Sequence, residues 1–217
     1  MDKKVESGLV YEEPTIAWQA EKRFKISGVS VGGETGTWLL FKKMTSPKNL
    51  SALSELYGKE KQGGNPVPAN MRDVWSIITQ GYNLRDESPE VANRLQTFFK
   101  ESLSRFPNTL TAIEGYRIVH NYGTSDEISL SGRVYGEDGF VNNIKAGGVL
   151  NRLLGSGNVK KINDVAQWVN GTDAYLSRAN SKLEREDLRV AGFDVFCGGF
   201  GLYCYRGTLA EFPSFLV

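Results

Sequence analysis

Hydrophobic and polar residues alternate along residues 22–31, and the apolar face changes phase at Gly28. A change of phase at a glycine is typical of a β-bulge or bend. A glycine-rich turn over residues 32–36 and an apolar run over residues 38–41 follow. The pattern therefore predicts an opening β-hairpin.

The apolar residues then change to helical spacing, which predicts three amphipathic helices in the middle of the chain. They are expected to begin after Ser46, at Asn70 and at Ser88. Ser46 and Ser88 are each followed by a proline, and a serine cap with an early proline favours the start of a helix. Residues 58–70 carry no periodicity and predict a loop between the first two helices.

The remaining patterns are shorter. They predict strands over residues 115–122 and 127–135, short helices over residues 146–154 and after Asn163 and Thr172, and a closing hairpin over residues 188–205. This order lacks the regular strand–helix alternation of a doubly wound fold. It predicts an α+β fold, with a mainly antiparallel sheet built from N-terminal, central and C-terminal hairpins and with two blocks of helices packed on it.

The ends of the chain differ in character. Residues 1–15 are charged and poor in apolar side chains, so we expect a frayed N-terminal segment followed by a single α+β domain over residues 16–217. A length of 217 residues fits one domain. Residues 212–217 are unusually apolar and are expected to dock on the body or on a second subunit, which leaves a homo-oligomer open.

Charge and composition narrow the function classes. The formal net charge is +1, whereas dedicated nucleic-acid binders usually carry a strong basic excess. The densest basic stretch, residues 42–61, also contains acids, so a solvated surface is the simpler interpretation and nucleic-acid binding the alternative. Few cysteines, an N-terminus unlike a signal peptide and the lack of a long apolar run predict a cytoplasmic protein without a membrane segment.

Common cofactor motifs are missing from the glycine-rich segments. Gly36 is followed by Thr37 and Trp38, so the lysine of a phosphate-binding loop is not in place, and a strand rather than a helix is predicted next. The chain has one histidine and two cysteines seven residues apart, which matches no zinc pattern. No cofactor is predicted, although a carboxylate site for magnesium stays open.

The most chemically varied stretch surrounds His120, where a predicted strand meets a loop. A catalytic interpretation uses His120 as the base and takes its acids from Asp126, Glu127 and Asp138. It requires His120, Asp126 and one of Glu127 or Asp138 to lie within about one water of each other in a concave site. The reaction would then be a hydrolysis or a phosphoryl transfer.

A binding interpretation of the same region uses aromatic side chains. Tyr116, His120 and Tyr122 share one face of the predicted strand 115–122 and would form a platform for a ligand, or else pack under the helices. Arg133, on the polar face of the next predicted strand, is a further candidate binding residue.

Three functions therefore remain. The favoured one is a non-catalytic binding or protein-interaction domain, because reactive side chains are scarce, the net charge is near neutral and the C-terminus is apolar. The second is a hydrolase or phosphoryl-transfer enzyme that uses His120 and the acids at 126–138. The third is nucleic-acid binding through residues 42–61. Whether the protein is an enzyme is left open by the sequence.

Overall fold

The computed structural model describes residues 9–10, 23–31, 34–41, 44–132, 136–179, 188–196, 199–206 and 213–217. The helices in these residues are α1 (Leu50–Gln62), α2 (Met71–Asn83), α3 (Pro89–Leu103), α4 (Gly147–Leu154) and α5 (Val159–Asn170). The strands are β1 (Leu9–Val10), β2 (Arg23–Val31), β3 (Glu34–Phe41), β4 (Asn108–Glu114), β5 (Arg117–His120), β6 (Ile128–Leu130), β7 (Gly139–Phe140), β8 (Ala174–Ser177), β9 (Leu188–Phe196) and β10 (Gly199–Arg206). The predicted α+β class is confirmed.

Short polar side chains fix where the helices begin. The side chains of Asn49, Asn70 and Asn158 each accept hydrogen bonds from backbone N–H groups in the first turns of α1, α2 and α5. Such caps satisfy N–H groups that have no partner within the helix. The predicted helix starts at Asn70 and Ser88 are confirmed, whereas α1 begins at Leu50, four residues after Ser46.

The strands form two sheets. β1, β2 and β3 form an antiparallel three-stranded sheet, with the predicted irregularity between Ser27 and Val29, where Gly28 has a φ of 77°. The other seven strands are ordered β6-β5-β4-β9-β10-β8-β7. Only the β8–β10 pair in this large sheet is parallel. The N-terminal hairpin thus packs beside α2 as a separate sheet and does not extend the large one.

Apolar layers cover both faces of the large sheet near its centre. The main core joins the inner sides of α2 to α5 to Phe193, Phe200 and Leu202 of β9 and β10. A smaller cluster packs α1 on the opposite face, against Leu110 of β4 and Val190 of β9. β4 is consequently buried on both faces, although it contains three polar residues before Ala112.

The apolar C-terminus docks on its own chain. Phe215 is fully buried among the aromatic side chains of α3. The backbones of Val67 and Val217 exchange two hydrogen bonds of 3.0 Å, and Ser214 is bonded to Thr45. Residue 212 lies outside the described residues. The tail therefore closes the loop before α2 and positions the first turn of that helix.

Some local predictions differ from the structure. The residues after Thr172 form strand β8 and not a helix, because Ala174 to Ser177 pair with β10. In the described part of the predicted strand 127–135, the structure has the three-residue edge strand β6, in which the Ile128 side chain is 46% exposed. Leu9 and Val10 pair with β2, while the rest of segment 1–15 lies outside the described residues. The single domain over 16–217 stays a prediction.

None of the described helices is both long enough and apolar enough to cross a bilayer.

Candidate functional site

The first turn of α2 holds an arginine in a fixed place. Asn70 Oδ1 accepts the backbone N–H groups of Arg72 and Asp73, at 3.0 and 3.1 Å. The Met71 N–H donates to Thr111 Oγ1 at 2.9 Å. Because each of these N–H groups would otherwise lack a helical partner, the three bonds stabilise the helix start and fix the backbone that carries Arg72.

A buried histidine extends this series of hydrogen bonds to a second helix. Thr111 and His120 face each other across β4 and β5, and Thr111 Oγ1 lies 2.9 Å from His120 Nδ1. His120 Nε2 lies 2.8 Å from the backbone oxygen of Arg152, near the end of α4. We call this chain, from Met71 through Thr111 and His120 to Arg152, the histidine relay.

The relay defines the tautomer of His120. A carbonyl oxygen only accepts, so Nε2 carries the proton that is donated to Arg152. Nδ1 of the neutral ring then accepts the hydroxyl proton of Thr111. Burial, together with the positive charge of Arg72, lowers the pKa of His120 to about 4, although the Arg152 carbonyl favours the charged form. His120 is therefore neutral near pH 7 and acts as a fixed link between the backbones of α2 and α4.

The Arg152 guanidinium is braced by backbone carbonyls. Its Nε donates to the oxygen of Ser131 at 3.1 Å, and its Nη1 donates to the oxygen of Gly148 at 2.9 Å. These two bonds hold the planar group beside the loop after β6. Since a guanidinium has five N–H donors, three of them remain for another acceptor.

Arg72 and Arg152 line one open pocket of about 810 Å³, which we call the arginine pocket. Its lining residues are Arg72, Ser129, Leu130, Ser131, Gly147, Gly148, Asn151, Arg152 and Gly157. None of them is acidic. Within the described part of the chain, the Arg72 guanidinium has no hydrogen-bond or ion-pair partner, and Arg152 has only the two carbonyls.

Arg72 is held by packing where hydrogen bonds are lacking. A Cβ atom placed on Gly155 would lie 3.3 Å from both Nε and Nη2 of Arg72. Gly155 also has a φ of 75°, as the C-cap of α4. A larger residue there would be strained by this backbone conformation, and its Cβ atom would press on the guanidinium. The glycine therefore leaves space for Arg72.

The acid beside Arg72 does not neutralise it by an ion pair. Asp73 is 7% exposed and its carboxylate accepts the backbone N–H of Asn70. Burial raises the pKa of Asp73 to about 7, while that hydrogen bond and the charge of Arg72 act in the opposite direction. Near neutral pH, Asp73 is therefore only partly ionised.

The sequence-predicted catalytic residues are not joined to one another. His120 is fully buried and both ring nitrogens are bonded within the relay. Asp126 accepts from Tyr57 Oη at 2.7 Å and forms an ion pair with Lys61, which lowers its pKa. Glu127 accepts the Gly123 N–H at 3.0 Å, and Asp138 is exposed directly before β7.

The sequence-predicted binding residues are also dispersed. Tyr116 is 60% exposed in the turn between β4 and β5. Tyr122 lies beyond β5 and packs against the smaller core cluster under α1, and burial raises the pKa of its hydroxyl. His120 lies between them in the sequence but points into the interior. Arg133, Lys42 and Lys43 lie outside the described residues.

No group of three or more His, Cys, Asp or Glu side chains within the described ranges could hold a metal ion. The arginine pocket was not predicted from the sequence. One signal was present, because Arg72 falls in the first turn of a helix that was predicted to begin at Asn70, and a cation is unfavourable there.

The sequence matches no protein-family model, and comparisons with curated proteins and with solved structures found no significant match.

Proposed function

We propose that this chain is a non-catalytic binding protein that holds the anionic group of its ligand in the arginine pocket. The observation that carries the proposal is the pair of guanidinium groups, from α2 and α4, that line one cavity whose described lining residues include no acid. Arginine forks match the oxygens of phosphate or carboxylate groups and form charge-assisted hydrogen bonds with them.

The position of Arg72 supports an anion as the missing partner. A cation in the first turn of a helix is repelled by the partial positive charge of the helix N-terminus. Residues that oppose local stability are often retained for function. An anion in the pocket would interact favourably with Arg72, with Arg152 and with the start of α2.

Binding fits the lining better than catalysis does. The polar groups that accompany the arginines are two serines and one asparagine, and none of them has a histidine or carboxylate beside it in the pocket. The neutral His120 lies behind the pocket, where its two nitrogens bind Thr111 and Arg152. A general base within reach of a bound group is thus not among the lining residues.

Calorimetric titration with inorganic phosphate tests the proposal. We expect saturable binding to the unmodified protein, at least tenfold weaker binding to Arg72→Gln, and unchanged binding to Arg105→Gln. Arg105 is an exposed arginine outside the pocket, so its variant controls for the loss of one charge. Equal affinities of all three proteins would overturn the proposal, as would no binding at about 10 mM phosphate, where a Kd of about 1 mM gives near saturation.

The other functional hypotheses stay predictions. An enzyme that uses His120 with the acids at 126–138 predicts loss of a hydrolytic activity in Asp126→Asn. Nucleic-acid binding through residues 42–61 predicts retention on RNA at about 50 mM salt that falls steeply as salt is added. A homo-oligomer through the apolar C-terminus and a cytoplasmic location likewise stay predictions.

A further inference from the structure

A second cavity lies directly beside the arginine pocket. It has a volume of about 250 Å³, and we call it the hydroxyl pocket. Its lining residues are Gly28, Trp75, Ser76, Thr79, Gln80, Asn83, Leu154, Gly155, Ser156 and Lys161. Most of them carry a hydroxyl, amide or ammonium group, and none is acidic.

One side of α2 connects the two cavities. Ser76, Thr79 and Asn83 follow Arg72 at spacings of four, seven and eleven residues. Residues at these spacings share one side of a helix. The arginine at the start of α2 lines the arginine pocket, and the three polar residues that follow line the hydroxyl pocket.

The turn between α4 and α5 forms the opposite wall of both cavities. Gly155 lines the hydroxyl pocket and also packs against Arg72, whereas Gly157 lines the arginine pocket. The two cavities share no lining residue but adjoin where Gly155 packs against Arg72, and we call them together the groove between α2 and residues 155–157.

A buried hydroxyl in the groove lacks a partner. Thr79 Oγ1 is buried and has no hydrogen-bond partner among the residues that the structure describes. Leaving a buried polar group unpaired costs about 1–3 kcal/mol. Thr79 thus provides both a donor and an acceptor that a ligand hydroxyl would satisfy.

A third unpaired cation lies at the far end. The described contacts of Lys161 include no acid, whereas the neighbouring Lys160 is paired with Asp164 at 2.8 Å. The groove therefore has three basic side chains, Arg72, Arg152 and Lys161, and no lining acid.

The aromatic side chain among the described lining residues of the hydroxyl pocket is not available for stacking. Trp75 is 3% exposed and its ring contacts Phe200 edge to face. A nucleobase would need an exposed aromatic face, whereas sugar hydroxyls need the polar side chains that are present here.

We propose that the groove binds a phosphorylated sugar or polyol, with the phosphate in the arginine pocket and the hydroxyl groups in the hydroxyl pocket. This inference rests on the proposed function, because it requires the arginine pocket to hold the anion. It adds the chemical class of the ligand and the residues that recognise its uncharged part.

Titrations of the full chain with four probes test the inference. The probes are inorganic phosphate, glucose 6-phosphate, glucose and adenosine monophosphate. We expect glucose 6-phosphate to bind at least tenfold more tightly than phosphate, glucose not to bind detectably, and the nucleotide to bind no better than phosphate. Arg72→Gln should weaken the binding of both phosphate and glucose 6-phosphate.

Thr79→Val separates the two halves of the groove. Valine has nearly the shape of threonine without its hydroxyl, so we expect the affinity for glucose 6-phosphate to fall about tenfold and that for phosphate to stay unchanged. Thr97→Val on α3 is the matched control. Thr97 lies outside the groove, and its hydroxyl donates a hydrogen bond to the backbone oxygen of Asn93 in the same helix. It should leave both affinities unchanged.

The outcomes distinguish this inference from the proposed function. Equal binding of phosphate and glucose 6-phosphate, or an unaltered Thr79→Val variant, overturns the sugar subsite while the anion site stands. Tighter binding of the nucleotide overturns the ligand class. Failure of phosphate itself to bind overturns the proposed function.

A further arm distinguishes a free ligand from a lipid headgroup of the same chemistry. Vesicles of phosphatidylcholine with phosphatidylinositol 4-phosphate would retain the protein if the headgroup enters the groove, and Arg72→Gln should remove that retention. Either source supports a phosphorylated polyol, whereas retention that does not depend on Arg72 contradicts it.

Discussion

Two regions of this molecule place a basic side chain from a helix beside the loop that follows a strand, and they differ in how the charge is satisfied. On α1, Lys61 pairs with Asp126, and Tyr57 donates to the same carboxylate. We call these three residues the Asp126 cluster. At the start of α2, Arg72 has no hydrogen bond or ion pair with any described acid, and the described partners of the Arg152 guanidinium are two backbone carbonyls.

The difference separates structural polar groups from candidate binding groups. In the Asp126 cluster each charged group has its partner within the chain, so the cluster fastens the 121–127 loop to α1. In the arginine pocket, the backbone groups at the start of α2 and in the histidine relay are hydrogen-bonded. The guanidinium groups, in contrast, have N–H donors that the described residues do not use. A density of polar residues along the sequence is therefore a poorer guide to a site than charges that have no partner in the fold.

The largest expected effect is on stability, when the hydrogen bonds that support each of the two regions are removed. His120→Leu leaves both Thr111 and the Arg152 carbonyl without their buried partner, so we expect a loss of about 2–4 kcal/mol in the free energy of unfolding. Tyr57→Phe removes one partly exposed hydrogen bond and should cost about 0.5–1.5 kcal/mol. Urea denaturation measures both, and equal losses would contradict the structural role of the relay.

The second prediction concerns Asp73, the buried acid next to Arg72 in the first turn of α2. The folded pKa of Asp73, about 7, lies above its ordinary value of 3.8. Between pH 3.8 and pH 7 the folded state therefore binds one proton more than the unfolded state. The contribution of Asp73 to the free energy of unfolding is fully present below about pH 4, and it is lost as the pH rises through 7.

Asp73→Asn should remove this dependence. We compare the free energy of unfolding of the variant with that of the unmodified protein at each pH. This difference, variant minus unmodified, should be about 2–3 kcal/mol larger at pH 8 than at pH 5. The comparison cancels the groups that both proteins share, including His120, whose lowered pKa acts in the opposite direction. Denaturation curves at the two pH values check it, and a difference that does not change with pH would refute it.

Local signals carried the parts of the fold that were predicted correctly. The cap at Asn70 and the proline after Ser88 act within one turn of helix, so the sequence alone places them. β4 was missed because Thr109 and Thr111 read as polar, although the fold buries both and satisfies them with Ala191 and His120. β8 depends on pairing with β10, a contact that no local pattern encodes.

The site was harder to predict than the fold, for a related reason. Arg72, Ser131 and Arg152 come from α2, the loop after β6 and α4, and only the fold brings them to one cavity. His120 was singled out correctly as unusual, but its neighbours in space are Thr111 and Arg152 rather than the nearby acids. Sequence proximity suggested a cluster that the described contacts do not form.

The third prediction uses the unpaired arginine directly. In buffer without phosphate, Arg72→Gln should raise the free energy of unfolding by about 0.3–1 kcal/mol, because it removes a cation from the first turn of α2. The guanidinium makes no hydrogen bond with the described residues whose loss would offset this gain. Thermal unfolding at low ionic strength measures the change, and a loss of stability would show that Arg72 has a structural role instead.

The smallest effect is expected at the paired lysine. Lys61→Met should lower the free energy of unfolding by at most about 0.5 kcal/mol, since exposed ion pairs contribute little. It should leave phosphate binding unchanged. Calorimetric titration of this variant beside Arg72→Gln completes the comparison, and weaker phosphate binding in both would mean that the two regions are not distinct.

The most direct test of the arginine pocket is nuclear magnetic resonance of the arginine Nε–Hε groups during a phosphate titration at constant ionic strength. We predict saturable shifts of Arg72 and Arg152, and none beyond dilution effects at Arg94, whose charge is paired with Glu90, or at the exposed Arg105. Small shifts that are alike at all exposed arginines and do not saturate would contradict the account.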